Sequence, residues 1–217
     1  MNEEIGKNIL KSGTSIVGIV CKDGVIMAAD RRSTAGNIVM SKDSQKIRKI
    51  GNYLATAYTG GVADIQLTNK LLTAELRLKE LKTKSQPSVE EAAHLLAMLV
   101  YRGIRTPAMI PSIVGTLIAG VDPDGKTSLY TVEPAGGVNQ VDDYDANFSS
   151  GMPYILGLLE RGYKKDLSVE EGIELGRECI KASMQRDTGS GNGIDIFSIT
   201  KAGVKQVISE ELIPQYR

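Results

Sequence analysis

The chain has 217 residues, 41% of them hydrophobic and 24% charged, the proportions of one well-packed globular domain. Lys and Arg together number 26, as do Asp and Glu, so the formal net charge is zero and bulk charge offers no grip on nucleic acid or a membrane surface. The longest strongly apolar run, Ile113–Val121, is far too short to cross a bilayer, and MNEEIGKNILKSG ahead of Thr14 lacks the apolar core of a secretory signal.

In chain order, the first half opens with short strands. Ser15–Val20 and Val25–Ala29 flank Lys22-Asp23-Gly24, where Asp-Gly suits the positive φ angles of a tight hairpin. Lys46–Ile50 and Tyr53–Thr59 flank a second hairpin at Gly51-Asn52. The period then becomes helical: Val62, Ile65, Leu72 and Leu76 predict a helix running to about Lys84, and Ser88 with Glu91 forms a capping box for the next. Ala92, Leu95, Leu96 and Leu99 supply the buried face of that second helix.

Strands return at Ser112–Val121, Thr127–Val132 and Val138–Val141, the first two joined by the turn Asp122-Pro123-Asp124-Gly125. A second helix pair follows at Ser150–Tyr163 and Ser168–Arg186, with Ser168 and Glu171 repeating the capping box. Ile194–Thr200 and Val204–Ser209 are the last strands. Hairpin-connected strands make mainly antiparallel sheets, and two helix pairs need two sheet faces to cover. The expected fold class is α+β, a four-layer α-β-β-α sandwich.

The side chains available for chemistry are limited. Cys21 and Cys179 are expected as buried free thiols in a reducing, cytoplasmic setting. No metal-ligand spacing occurs, and no metal or cofactor is expected. His94 is the only histidine, so a Ser-His-Asp triad has almost nothing to draw on; a hydrolase built from this chain takes its base from elsewhere.

Several local features are ordinary when taken singly. Thr14 opens a strand directly after Gly13, as β-branched residues often do. Asp30-Arg31-Arg32 closes the second strand and leads into Ser33-Thr34-Ala35-Gly36. Lys46 sits in a later strand between apolar neighbours, where an edge or surface lysine is the ordinary case. Tyr58-Thr59-Gly60-Gly61 lies at a strand-to-helix junction, where glycine allows close backbone approach to a ligand. Arg186-Asp187-Thr188-Gly189-Ser190-Gly191 joins a helix to a strand.

Together with Ala63-Asp64 and Ser149-Ser150-Gly151, this ordered set resembles the catalytic β subunits of the proteasome core particle, the archaeal type in particular, over essentially the whole chain after Gly13. The resemblance implies an N-terminal-nucleophile hydrolase fold and a threonine-type endopeptidase. Residues 1–13 would be a propeptide removed by autocleavage between Gly13 and Thr14, leaving 14–217 as the catalytic domain. Thr14 would then be the nucleophile and its freed α-amine, titrating near pH ~7.7–8.0, the base. Lys46 would favour proton transfer from Thr14, with Asp30 holding it charged. The Gly60 N–H would stabilise the oxyanion. Ser150, Asp187 and Ser190 would support the threonine amine.

The resemblance also assigns substrate contacts. Thr34 and Gly60 would bind the substrate backbone as an added strand, and Ser33, Met40, Ser44, Tyr58 and Val62 would line the pocket for the residue before the cut. Tyr58 and Val62 suggest an apolar or aromatic preference. Arg48 shares a strand face with Lys46 and could favour an acidic residue, or could simply be ion-paired nearby. Ser15 stands where many relatives have threonine, with little effect expected, and Gly189 and Asn192 depart from the usual loop.

The implied partners are proteasome α subunits and other β subunits in stacked seven-membered rings, with an ATPase regulatory particle feeding unfolded protein; no nucleic acid and no membrane are expected. Two alternatives remain. One is the simpler bacterial proteasome-like peptidase, which lacks this Arg-Asp-x-x-Ser-Gly loop. The other is a non-catalytic or conditionally processed ring subunit, a class that usually loses the threonine, lysine or aspartate that are all present here.

Overall fold

The computed structural model describes residues 13–212. The expected leader therefore lies, but for Gly13, outside the described residues.

Four layers stack as the sequence suggests. One sheet has the order β10-β1-β2-β11-β12, from β1 (Ile16–Cys21), β2 (Gly24–Asp30), β10 (Tyr144–Asp145), β11 (Gly193–Thr200) and β12 (Gly203–Glu211). The other has the order β5-β6-β7-β8-β9, from β5 (Ile47–Ile50), β6 (Leu54–Gly60), β7 (Val114–Val121), β8 (Thr127–Val132) and β9 (Val138–Val141). Every neighbouring pair is antiparallel. Helices α1 (Val62–Thr83) and α2 (Val89–Arg105) cover the second sheet, and α3 (Met152–Gly162) and α4 (Val169–Met184) the first.

Strand alternation explains the layering. In β2, Val25, Met27 and Ala29 face the opposing sheet and pack with Ile47, Ala55, Leu117, Leu129 and Phe197. Ile26 and Ala28 face the other way, toward Leu159 of α3 and Cys179 and Ile180 of α4. A strand buried on both faces reads as a continuous apolar run, as β2 and β7 do. A third cluster, including Leu54, Leu72, Leu76, Leu96 and Ile118, seals α1 and α2 to the second sheet. Both capping boxes form: Ser88 and Ser168 each accept from the N–H of a glutamate three residues on, and that glutamate returns a bond to the cap N–H.

Several details differ from the sequence expectation. The Lys22-Asp23 hairpin forms without any positive φ, and Asp23 turns its carboxylate to the start of α4, where Oδ1 accepts from the Val169 N–H at 3.0 Å. The strand expected to contain Lys46 begins one residue later, and β1 begins at Ile16 rather than Ser15. A small hairpin, β3 (Ser33–Ala35) with β4 (Ile38–Ser41), follows Arg32; Gly36, at φ 59°, makes its turn. The two-residue β10 adds an edge to β1. Among the described residues, no helix is long and apolar enough to cross a membrane.

Candidate active site

The two sheets place the head of β1, the end of β2, the entry to β5 and the end of β6 around one cleft. Its lining includes Gly13, Thr14, Arg32, Ser33, Ser44, Lys46, Arg48, Tyr58, Gly60 and Val62. Thr14 is buried there, and its Oγ1 donates to the carbonyl oxygen of Gly13 at 2.7 Å. Gly13 in turn donates its N–H to Thr34 Oγ1 at 2.9 Å. It lies so close to the backbone of Gly189 that a Cβ on either residue would strike the other.

Asp30 is the hub beneath this junction. Fully buried, it accepts from four donors: the Ser15 N–H at 2.8 Å and Lys46 Nζ at 2.6 Å through Oδ1, and the Arg32 and Gly191 N–H groups, both at 2.9 Å, through Oδ2. Four donors fill the acceptor capacity of a carboxylate, which is what allows the charge to remain buried. One side chain thereby ties the start of β1, the end of β2, the entry to β5 and the 187–191 loop together.

Lys46, the reading of which left a surface lysine open, is only 8% exposed. Burial pulls its pKa below the ordinary lysine value, and the Asp30 carboxylate opposes that shift without cancelling it.

A second cluster flanks the Thr14 amide. The Thr14 N–H donates to Ser150 Oγ at 2.9 Å, and the Ser150 hydroxyl donates to Asp187 Oδ2 at 2.6 Å. Ser190 Oγ donates to the same carboxylate oxygen at 2.5 Å. That leaves Ser190 Oγ to accept from Ser15 Oγ at 2.7 Å. The Asp187 Oδ1 atom accepts from the Gly189 N–H at 3.1 Å. The hydroxyls of Ser15, Ser190 and Ser150 and the Asp187 carboxylate thus form one relay ending at the Thr14 nitrogen.

The geometry brings together Gly13, Thr14, Asp30, Lys46, Gly60, Ser150, Asp187 and Ser190, with Ser33, Tyr58 and Val62 on the cleft wall. Gly60 closes β6 at φ 124°, with its missing Cβ facing the Ile113 carbonyl, so only glycine fits without displacing the backbone. Thr34 contacts Gly13 through its side chain but does not line the cleft, and Met40 is exposed on β4 outside it. Two contributors escaped the sequence reading. Ser15, next to Thr14 in sequence, carries no signal of its own there, yet its hydroxyl joins the Ser190–Asp187 cluster. Arg32, in sequence one more member of the Asp30-Arg31-Arg32 run, donates from Nε to Asn192 Oδ1 at 2.8 Å and from Nη1 to the Thr188 carbonyl at 3.0 Å, pinning the loop that carries Asp187. The cysteines are free and buried, and burial pushes each thiol up to about 12, which removes them as nucleophiles near neutral pH.

A four-layer α-β-β-α sandwich with a threonine at the head of its first strand, facing a buried lysine–aspartate pair, is the architecture of the N-terminal-nucleophile hydrolases. The chain belongs to the proteasome subunit family, which matches residues 10–199. It is 40% identical over 200 residues to the proteasome subunit beta of Methanocaldococcus fervens, covering 92% of this chain and 87% of that one. With the proteasome subunit beta of Methanothermobacter thermautotrophicus the identity is 39% over 207 residues, 95% of each chain. With proteasome subunit beta 1 of Thermococcus onnurineus it is 41% over 200 residues, 92% of this chain and 95% of that one.

Proposed function

We propose that this chain is a catalytic β-type subunit of the proteasome core particle, a threonine endopeptidase that cuts unfolded proteins to short peptides. The observation that carries the reading is the contact of Thr14 Oγ1 with the Gly13 carbonyl at 2.7 Å, set above the Lys46–Asp30 pair at 2.6 Å.

Activation is self-cleavage. The Thr14 hydroxyl oxygen attacks the Gly13 carbonyl carbon and the C–N bond breaks. The nitrogen takes up a proton to become the α-amine, and Gly13 is left as an ester on Oγ. Water hydrolyses that ester, releasing the leader as a carboxylate and restoring the hydroxyl. Ser150 Oγ, which accepts from the Thr14 N–H in the uncut chain, then holds the amine.

Peptide hydrolysis repeats the chemistry on a substrate carbonyl. The neutral amine takes the hydroxyl proton as Oγ attacks, the proton passes to the leaving amine, and water frees the acyl-enzyme. The Lys46 ammonium favours the ionised oxygen of Thr14, while Asp30 keeps that ammonium in place. The Gly60 N–H serves the oxyanion, a contribution of about 2.7–4 kcal/mol in comparable sites. Asp187 and Ser190 orient Ser150, and Thr34, which holds the Gly13 N–H from outside the cleft lining, together with Gly60 aligns the backbone before the cut as an added strand.

Membership of the family carries assembly into the core particle with α subunits. The finer organisation belongs to the same proposal: seven-membered β rings stacked in pairs, capped by α rings, fed by an ATPase and working in the cytoplasm. The presence of Thr14 and Lys46 in one cleft, with Asp30 buried beneath and bonded to Lys46, argues against a purely structural ring subunit. Intact mass after co-assembly with α subunits tests the reading. The wild-type chain should lose residues 1–13, whereas Thr14→Ala should keep them; a fully assembled wild-type particle that stays full-length would refute it.

A further inference from the structure

The cleft wall beside Thr14 is made by β5, β6 and the start of α1. Register sets what it presents. Arg48 lies opposite Thr56 and one diagonal step from Tyr58, on the face that also carries Lys46. The Tyr58 ring is buried, with its hydroxyl donating to Asn69 Oδ1 at 3.2 Å, so it forms a floor rather than an opening. Val62 and Ile65 supply an apolar side, and Ser33, Ser44, Gln45 and Gln66 a polar one.

Three cations line this cleft, and no carboxylate does. Two of the three are committed: Lys46 to Asp30, and Arg32 to Asn192 and the Thr188 carbonyl. Arg48 makes no ion pair among the described residues. Its charge is close enough to Tyr58 to oppose the rise that burial imposes on that phenol. A guanidinium without a carboxylate partner, above an apolar wall and flanked by neutral donors, is a receptor for a short chain ending in a carboxylate.

We propose that the pocket selects an acidic side chain, glutamate above all, for the residue before the cut, with Arg48 as its specificity determinant. This rests on the protease reading above and departs from the apolar preference that Tyr58 and Val62 suggest in the sequence, taking instead the acidic branch that Arg48 offers. The glutamate methylenes lie along Val62 and Ile65, its carboxylate meets Arg48, and Ser44 and Gln66 add neutral donors. A basic residue would face the like charges of Arg48 and Arg32, and leucine would leave Arg48 without a partner.

The test uses the assembled, processed core particle and three fluorogenic peptides that differ only at the residue before the cut: Glu, Leu or Arg. The wild type should show its highest kcat/KM on the Glu peptide and its lowest on Arg. Arg48→Gln should lower the Glu-to-Leu ratio by about three- to tenfold, the order of one charge-assisted hydrogen bond discounted for solvent, while Arg48→Lys keeps part of it. Raising salt should lower the same ratio in the wild-type particle, which keeps the question decidable if the variants do not assemble. Hydrolysis that favours Leu in the wild type, or a ratio unmoved by salt and by Arg48→Gln, overturns the acidic pocket and leaves the protease reading standing. A particle that is uncut at Gly13 and cleaves none of the three peptides overturns both.

Discussion

Lys46 is asked to remain an ammonium inside a buried site, and that sets a pH window for the chemistry. Its folded pKa lies below the ordinary lysine value because burial outweighs Asp30. The group therefore loses its proton at lower pH than a free lysine would. The Thr14 amine must be neutral to act as base, so activity should rise through pH ~7.7–8.0 and fall on an alkaline limb lying below the usual lysine value of ~10.4. A kcat/KM profile of the processed particle reads both limbs. Lys46→Arg should move the alkaline limb upward in whatever activity remains, and Lys46→Ala should abolish turnover; near-normal turnover in Lys46→Ala would sink the amine-base mechanism. Ser15 carries a milder prediction. Its hydroxyl donates to Ser190, which then offers its own proton to Asp187. Ser15→Ala should slow peptide hydrolysis several-fold with little change in KM, and Ser15→Thr, which keeps the hydroxyl, should restore it. Equal rates in all three chains would show that the relay ends at Ser190.

The loop between β10 and α3 presents Ser150, and Asn147 fixes that loop. Its side-chain amide donates to the Thr116 and Val132 carbonyls, both at 3.2 Å, and to Thr131 Oγ1 at 2.8 Å; its oxygen accepts from the Phe148 N–H at 2.7 Å. The residue sits at φ 46°, a conformation asparagine tolerates better than most, and its oxygen fills the space a side chain on Gly115 would need. Asn147→Ala leaves these buried groups unpaired, a loss of about 1–3 kcal/mol. Urea unfolding of the isolated chain should show that loss, and the assembled variant should also lose kcat because Ser150 is no longer held. None of this was legible in the sequence, where Asn147 is one polar residue in an irregular stretch. The framework was legible for a physical reason: turn residues and capping boxes are local signals, and Ser88, Ser168, Gly51 and Gly125 each act within a few residues of themselves. Thr14, Lys46 and Asp30 were readable as a candidate site only as an ordered set spread along the chain. Ser15, Arg32 and Asn147 act across the fold through contacts that no spacing in the chain announces. The hairpin β3–β4 escaped for the opposite reason, since strands of 3 and 4 residues are too short to show a period.

At the scale of the whole molecule, two of the exposed apolar features among the described residues lie beside the cleft. Ile38, Val39 and Met40, exposed by 65%, 40% and 66%, form the outer strand of the β3–β4 hairpin, and Met109, Ile110 and Ile113 follow α2. Side chains this apolar and this exposed on neighbouring turns mark surfaces covered in an assembly. Both reach the cleft directly. Ser33 of β3 lines it, Thr34 holds Gly13, and the Ile113 carbonyl accepts from the Gly61 N–H at 3.3 Å, next to Gly60. Covering these loops would restrain the residues that seat the Gly13–Thr14 bond and the candidate oxyanion donor, so assembly and self-cleavage should be coupled through them. An Ile38→Asp, Met40→Asp double variant changes only exposed side chains and should keep the wild-type melting temperature as an isolated chain. Mixed with α subunits, it should fail to enter the core particle on native gels and should retain residues 1–13 by intact mass. Normal assembly with loss of the leader would show that the hairpin is not part of the interface. Normal assembly with the leader retained would place the hairpin in the cleavage step itself, acting on Gly13 through Thr34.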